Sequence, residues 1–459
     1  MKKLGIIFMA LVLALGYYAM PTIAGAAEVS AKDDSKVTLS GQIRIRGEFD
    51  HNLRDQSGDS KDENAAGKLI LDDHAAFYDT QVRVGIEAKV AEGVTGKIQL
   101  ETESADNAGN DTYLWGSGSA GARGTYPRGN SKRGSLNIRE AYIDYNKDIF
   151  QVTVGHQEFK QFNGLFFDHT KYGDDGIKVF VRPNKNVTVL LETIKLNEGV
   201  AHSGTANAST SSVDDSDAYI LFGQYKGDTF KIGGAVDYVN DQNPGWADGA
   251  IHLFNYALAG DVSFGPVTLR GDFELQSGEF KQAAGASNDV RIDAYAGLLG
   301  ADYTIGDTKI TLEGAFGSGD DNKETKRSKG FITALGADQH YTFVYEYKGT
   351  ASTGMTGTGL TNTEYIKFGA STKFAKDFSA EAYLYWLHAV EAVSLHGDSP
   401  SSNLGYEMDA KVTYQIATNL KYYVEGGYMA VGNAYNYVSQ PDHAADNMYA
   451  VRHGIQLNF

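Results

Sequence analysis

Cysteine is absent from the 459-residue sequence, and proline occurs only 7 times. Without cysteine the chain has no disulfide cross-link, no thiolate nucleophile, and no zinc or iron–sulfur site built on thiolates. Glycine (53), tyrosine (28) and phenylalanine (22) are abundant by contrast. This composition suits many strands that are joined by turns.

Long apolar runs are also absent beyond the first 26 residues. No later segment has the roughly 18 consecutive apolar residues that a membrane-spanning helix needs. The N-terminus joins a basic pair, Lys2 and Lys3, to an apolar stretch and then to small residues at Ala26 and Ala27. This pattern predicts a signal peptide, residues 1–26, that is cleaved on export through the inner membrane, rather than a retained anchor.

Positive charge is in deficit, since the formal net charge is −17. A chain this acidic repels phosphate groups, so we expect no nucleic-acid partner. Histidines show no metal-ligand spacing, and a Gly116-x-Gly118-x-x-Gly121 pattern lies in a polar stretch without a following helix. We therefore predict that the protein is not an enzyme and has no cofactor and no metal site. The pairs Asp174-Asp175 and Asp320-Asp321 leave open a Ca²⁺-binding loop beside ordinary turn chemistry.

Alternation between apolar and polar residues is what the sequence does contain. In the first such run, Ile43, Ile45 and Phe49 share one parity, and the polar residues between them share the other. A buried strand would be apolar on both faces, whereas this strand has one face for lipid and one for water. The last run ends the same way, at Phe459. Eighteen segments follow this pattern: 39–49, 75–90, 94–104, 136–146, 149–160, 175–183, 186–196, 215–226, 229–240, 251–264, 267–278, 290–304, 308–318, 363–374, 378–389, 404–415, 420–431 and 446–459.

The connections between these segments are alternately long and short. Eight are tight turns, such as Gly265–Pro266, and the others are polar loops of up to 44 residues, at 319–362. The sequence thus predicts an all-β, transmembrane, antiparallel up-and-down β-barrel of about 18 strands, with short periplasmic turns and long extracellular loops. It assigns residues 27–36 to a short periplasmic N-terminal segment and residues 37–459 to the outer-membrane barrel. Residues 341–347 could form an extra strand, but a nineteenth would break the loop alternation.

Strand parity also predicts which side chains line a pore. Acids and bases on that wall are nearly balanced, which favours weak ion selectivity with a slight cation preference from acidic loops. The alternative is that these charges pair across strands and only stabilise the wall. Two residues, Arg139 and His453, have lipid parity; for His453 we expect a neutral ring or a bulge. The pore-lining candidates are Arg44, Arg46, Arg83, Glu87, Lys97, Glu101, Glu140, Asp144, Arg182, Asp237, Arg270, Asp272, Glu274, Glu313, Glu407, Asp409, Lys411, Glu425 and Arg452.

The segment 161–174 is the candidate constriction loop. Four of its residues are expected to narrow the pore: Phe166, Asp168, His169 and Asp174. The alternative is an external loop that places its aromatic residues on the rim of the barrel.

Several short motifs resemble known porins. Residues 139–144 (REAYID) followed by 154–157 (VGHQ) are similar to a recurrent porin pattern. Residues 317–320 (GSGD) and 404–409 (LGYEMD) resemble the alginate-export family of bacterial outer-membrane porins. That resemblance implies a monomeric barrel of eighteen strands. An alginate exporter implies an electropositive conduit, and this nearly neutral wall departs from it, so the resemblance carries the architecture and not the substrate.

The sequence therefore favours a porin in the outer membrane of a Gram-negative bacterium. It would form a water-filled, weakly selective channel for passive diffusion of small hydrophilic solutes and ions. Its expected partners are outer-membrane lipid, those solutes, and the barrel-assembly machinery through the strand that ends at Phe459. Two alternatives are a dedicated channel for an oligosaccharide or acidic polymer, and a barrel that encloses a redox partner.

Overall fold

The computed structural model is a closed β-barrel of eighteen antiparallel strands. It describes residues 27–30, 36–53, 62–63, 69–71, 74–103, 112–115, 135–197, 215–242, 249–282, 289–321, 326–335, 341–346, 359–395, 398–436 and 445–459. The barrel strands are β1 (Lys36–His51), β2 (His74–Ala91), β3 (Val94–Glu103), β4 (Ser135–Lys147), β5 (Phe150–Gln157), β6 (Asp174–Val181), β7 (Val187–Asn197), β8 (Ser216–Lys226), β9 (Phe230–Asp241), β10 (Gly249–Phe264), β11 (Val267–Gln282), β12 (Val290–Ile305), β13 (Thr308–Gly317), β14 (Thr363–Ala375), β15 (Phe378–Val393), β16 (Ser401–Ala417), β17 (Leu420–Val431) and β18 (Met448–Asn458).

The barrel closes because its first and last strands pair. Strand β1 pairs antiparallel with β18, from Gln42 opposite Asn458 to His51 opposite Tyr449. Every other strand pairs with the next one in the chain, so the topology is up-and-down and the predicted count of eighteen is confirmed. Closure leaves no long edge of unpaired backbone groups.

The N-terminal part of the chain joins this sheet only briefly. Residues Ala27–Ser30 form a short strand that pairs antiparallel with Lys36–Leu39 of β1. They lie within the stretch predicted to precede the barrel. The predicted signal peptide, residues 1–26, lies outside the described residues.

The two faces of the sheet have opposite chemistry, as the parity predicts. Large apolar side chains stand exposed on the outer face; Leu299 is 72 % exposed, Ile143 63 % and Phe264 62 %. Such a surface would be costly in water, and it matches a hydrocarbon environment. In the part of the chain that the structure describes, no helix is long and apolar enough to cross a membrane.

Aromatic residues stand on the outer face near the ends of the strands. Eight exposed examples are Phe150, Phe264, Tyr303, Phe316, Phe374, Phe378, Tyr414 and Tyr428. Ring pairs connect neighbouring strands at this level, as Phe378 and Tyr414 do with centroids 4.5 Å apart. This placement is typical of the aromatic girdles at the two interfaces of a membrane barrel.

Arg139 does not face outward, contrary to its parity. A β-bulge in β4 shifts the register between Gln99 and Leu100 of β3, and Arg139 falls at that shift. Its guanidinium therefore turns inward, where it donates to Glu158 at 2.5 Å and to the Thr170 carbonyl at 2.7 Å. The bulge buries a charge that would have been costly against lipid.

His453 keeps its outward parity without a bulge. Strand β18 pairs in continuous register with both neighbours at this position. The ring lies over Gly47, where a Cβ would come within 2.4 Å of it. Its nitrogens lie 3.1 Å from the Tyr422 hydroxyl and 3.4 Å from the Tyr78 hydroxyl. The two tyrosines supply polar partners on an otherwise apolar face.

Candidate functional site in the barrel lumen

The loop between β5 and β6 folds into the barrel. Strand β5 ends at Gln157, three residues before the predicted end, and residues 158–173, here called the first insert, then turn inward. Its side-chain amides reach two wall carboxylates farther along the sheet: Gln161 donates to Asp237 of β9 at 2.5 Å, and Asn163 donates to Asp272 of β11 at 3.0 Å. Because strands β7 and β8 separate β9 from β6, the insert covers several strands of the inner face.

Small wall residues make room for the first insert. Phe162 lies over Gly233, where a Cβ would be 2.9 Å from its ring. Its ring also packs on Phe222, with centroids 5.0 Å apart. Ala235 and Ala257 continue this low surface on β9 and β10, and both are buried. Larger residues there would displace the insert, because a packed interior has no spare volume.

Hydrogen bonds within the first insert fix its return to the wall. The Asp168 carboxylate accepts from Lys160 at 2.6 Å and from the Thr170 hydroxyl at 2.7 Å. Burial alone would raise the pKa of Asp168, but these hydrogen bonds and the Lys160 charge outweigh it, so the pKa lies below its usual value. His169 is within 2.5 Å of Asp174, which is the first residue of β6 and not part of the loop.

A second piece of chain packs against the first insert. Phe167–Asp168 pair in parallel with Ala334–Leu335, which belong to the long loop between β13 and β14. The same piece is tied to the wall at Gln276 of β11, which exchanges two hydrogen bonds with the Ile332 backbone at 2.7 and 2.9 Å. Phe331 is fully buried beside it. The first insert is therefore held from both the wall and the neighbouring loop.

Residues 341–346, here called the second insert, fill the other side of the lumen. The structure assigns no strand to them, and they are buried throughout. Glu407 of β16 accepts hydrogen bonds from three consecutive backbone amides: Phe343 at 3.0 Å, Val344 at 2.5 Å and Tyr345 at 2.8 Å. Asp409 accepts a further bond from the Phe343 amide at 3.0 Å. A single carboxylate thus organises the turn of this segment.

Tyrosines surround the second insert. Tyr341 stacks on Tyr365 of β14 with ring centroids 4.7 Å apart, and Tyr385 of β15 donates to the Tyr341 carbonyl at 2.8 Å. Tyr345 hydrogen-bonds with Thr363 at 2.9 Å. Burial raises the pKa of both Tyr341 and Tyr345, so their hydroxyls stay protonated and act as donors.

Ion pairs connect neighbouring strands along the rest of the inner wall. Arg46 pairs with Asp79 at 2.7 Å, and Lys97 pairs with Glu140 at 2.6 Å. Glu425 is shared by Lys411 at 2.7 Å and Arg452 at 2.5 Å. Three further pairs are Arg83–Glu101, Arg270–Asp302 and Arg270–Glu313. The geometry is that of the alternative considered from the sequence, in which wall charges pair across strands.

The pore-lining candidates occupy the inner face, with differences in exposure. Glu87 is exposed near the short turn that follows β2, and Arg182 lies one residue beyond β6. Asp144 accepts from Gln151 and Thr153 within the wall, at 2.6 and 2.9 Å. The candidates that accept hydrogen bonds from the inserts are Asp237, Asp272, Glu407 and Asp409, and the guanidinium of Arg452 lies over the Phe343 ring at 5.0 Å.

The second insert is the part of this site that the sequence did not reveal. Its segment reads YTFVYE, and an aromatic run inside a polar loop is the one signal that marks it. That run also fits a strand, so the sequence alone offered an extra strand at residues 341–347. Among the described residues, no group of three or more His, Cys, Asp or Glu side chains is arranged to hold a metal ion.

Comparison with solved structures places this architecture among known barrels. OccK5 (OpdH) of Pseudomonas aeruginosa superimposes with a TM-score of 0.54 at 11 % identity, over 93 % of this chain and 98 % of that one. OccAB2 of Acinetobacter baumannii gives 0.55 at 11 %, over 92 % and 98 %. The outer membrane protein opdK of P. aeruginosa gives 0.52 at 10 %, over 92 % and 98 %.

The chain has the fold of a bacterial outer-membrane porin. No protein-family model matches its sequence, and no curated protein matches it. The porin part of the sequence resemblance is thus confirmed at the level of fold. The narrower resemblance to the alginate-export family stays a prediction.

Proposed function

We propose that this protein is an outer-membrane channel through which small hydrophilic solutes and ions diffuse passively. The observation that carries the proposal is the division of the sheet into an exposed apolar outer face and a charged inner face. Only a closed barrel in hydrocarbon uses both faces in this way. The solutes would pass through the part of the lumen that the two inserts do not fill.

The inserts make this channel narrow. The first insert, which includes Phe166, Asp168 and His169, covers strands β7 to β11, and the second covers β13 to β17. Narrowing from two sides favours small solutes over polymers. It also counts against a protein partner inside the barrel, because the inserts occupy that space.

Wall electrostatics supports weak rather than strong ion preference. Most inner bases have a carboxylate partner on a neighbouring strand, so neither sign dominates the wall. Rings of unbalanced charge are what give strong selectivity in such pores. An exporter of an acidic polymer would instead need a continuous row of unbalanced bases.

The location and assembly of the protein belong to the same proposal. Export would use the signal peptide, residues 1–26, and outer-membrane lipid would cover the outer face. The barrel-assembly machinery would recognise the last strand, β18, which ends beside Phe459; the backbone of Phe459 already pairs with Gly41 of β1.

Reconstitution into planar bilayers tests the proposal. We expect small, discrete conductance steps and a ratio of cation to anion permeability close to one. Liposomes that contain the protein should take up monosaccharides but not oligosaccharides. Bilayers that stay closed after insertion of correctly folded protein would refute the channel. A strong preference for one ion would refute weak selectivity alone.

A further inference from the structure

Five buried oxygen atoms without a hydrogen-bond donor belong to side chains that are grouped around Asp237 and Glu274, beneath the first insert. They are Glu274 Oε1 and Oε2, Asp272 Oδ1, Asn255 Oδ1 and Gln161 Oε1, and no described residue donates a hydrogen bond to any of them. Their side chains come from β10, β11 and the insert, and each is at most 3 % exposed. Buried oxygen acceptors normally have partners, so five together need an explanation.

The amide orientation at this cluster is fixed by Asp237. Its carboxylate accepts from Gln161 Nε2 at 2.5 Å and from Asn255 Nδ2 at 2.9 Å. A carboxylate cannot donate, so both amides must present their nitrogens to it. Their oxygens then point away from Asp237, and neither has a donor among the described residues.

Glu274 is the most exceptional member of the cluster. Its side chain is 1 % exposed, and neither of its carboxylate oxygens accepts a hydrogen bond from the described residues. The Phe166 amide and the Asn255 side chain approach it without reaching hydrogen-bond geometry, and Asp272 and Asp237 lie near enough to repel its charge. A buried carboxylate in this setting is strongly unfavourable unless a proton or a cation joins it.

Two bases on this part of the wall, Arg270 and Lys178, have other partners. Arg270, two residues before Asp272, pairs with Asp302 and Glu313. Lys178 faces Glu192 at 3.9 Å and donates to the Glu158 carbonyl. The protein groups described therefore do not neutralise Asp272 and Glu274.

We propose that Asp272, Glu274, Asn255 and Gln161 bind a hard divalent cation of the Ca²⁺ class under the first insert. Carboxylate and amide oxygens are the ligands that Ca²⁺ takes, and it accepts six to eight of them in flexible geometry. The five oxygens supply most of that number, and the two carboxylates balance the charge. Only two acids coordinate, so the site is not one of the clusters of three or more acidic side chains that were absent above.

This cation would connect the insert to the wall. Gln161 belongs to the first insert, whereas the other three ligands belong to β10 and β11. Asp237 positions the two amides through its hydrogen bonds and does not coordinate. The site is independent of the channel proposal, because it would exist whether or not solutes pass.

Calcium titration of the folded barrel in detergent tests the site. Isothermal calorimetry and Tb³⁺ luminescence are run on wild type after EGTA treatment and on Glu274→Gln and Asp272→Asn/Glu274→Gln. We expect wild type to bind a Ca²⁺ ion that the double variant binds at least 100-fold more weakly. Asp302→Asn, which removes an inner carboxylate of β12 that has Arg270 as a partner, is the matched control and should leave binding unchanged.

Thermal unfolding of wild type gives a readout that needs no variant. Ca²⁺ should raise the unfolding temperature of wild type and EGTA should lower it, whereas Glu274→Gln should respond to neither. The proposal is overturned if wild type neither binds nor is stabilised by Ca²⁺, or if the double variant retains every site of wild type. Planar-bilayer conductance separates this result from the channel proposal, since a conducting barrel without Ca²⁺ binding would overturn the site alone.

Discussion

The two inserts reach the same lumen by different means. The first insert is held by its own side chains, because the amides of Gln161 and Asn163 extend to Asp237 and Asp272. The second insert is held by its backbone, since the main-chain amides of residues 343–345 converge on Glu407. A change of sequence in the first insert alters its anchors directly, whereas the main-chain anchors of the second insert depend on wall residues, above all Glu407 and Asp409.

Removal of the Glu407 carboxylate should give the largest effect. In Glu407→Ala, the buried amides of Val344 and Tyr345 lose their acceptor, at a cost of about 1–3 kcal/mol for each, while the Phe343 amide keeps Asp409. The second insert should then leave the wall and single-channel conductance should rise severalfold. Glu407→Gln keeps one acceptor oxygen and should give a smaller rise. If Glu407→Ala conducts like wild type, backbone anchoring of the second insert is wrong.

Loss of one anchor of the first insert should have an intermediate effect. Gln161→Ala leaves Asp237 buried with a single remaining donor, Asn255, and costs about 1–3 kcal/mol. We expect a modest rise in conductance with more current noise, because Asn163 still binds Asp272. Quiet, unchanged currents would mean that Asp237 does not hold the insert.

Filling the low surface under the first insert should have a smaller effect. In Gly233→Ala the new methyl group meets the Gly223 carbonyl oxygen of β8 at 2.8 Å and the Phe162 ring at 2.9 Å. Such overpacking costs about 1–3 kcal/mol, and a movable insert recovers only the part that arises at Phe162. Gly234→Ala is the matched control, since its Cβ finds no atom nearer than 3.4 Å. Limited proteolysis within residues 158–173 should accelerate for Gly233→Ala only. Equal cleavage rates for the two variants would contradict the packing of Phe162 on Gly233.

Acid should loosen the first insert, with the smallest effect. The pKa of Asp168 is lowered in the folded state, so its contribution to stability is present above its unfolded pKa of about 3.9 and is lost as pH falls through the folded value. Current noise should therefore increase below about pH 4. Asp168→Asn should show this current noise already at neutral pH, and its noise should no longer depend on pH. If the variant kept the wild-type dependence of noise on pH, Asp168 would be excluded as the titrating group.

The sequence predicted the barrel well, because each strand encodes its own orientation. Parity along β1 or β18 distinguishes lipid from water residue by residue, and one side must be apolar throughout. Arg139 shows where this fails. A bulge changes parity at a single position, and the guanidinium that it turns inward binds Glu158 and Thr170, which are distant in sequence.

The lumen was less predictable than the wall. Phe166, Asp168 and His169 were candidates for narrowing the pore and do lie inside the barrel, but Asp174 begins a strand. The sequence of residues 341–346 does not indicate that Glu407 accepts hydrogen bonds from their main-chain amides, because backbone donors are the same for every residue type. Such an anchor is visible only in three dimensions.

By itself, the sequence determined the closed eighteen-stranded barrel and the chemistry of its two faces, since apolar and polar residues alternate within each strand. The tertiary structure alone decided how the interior is filled. Which carboxylate meets an arginine, an amide or a main-chain N–H depends on loops folding back across the lumen, and burial then sets the energetic consequence of each contact.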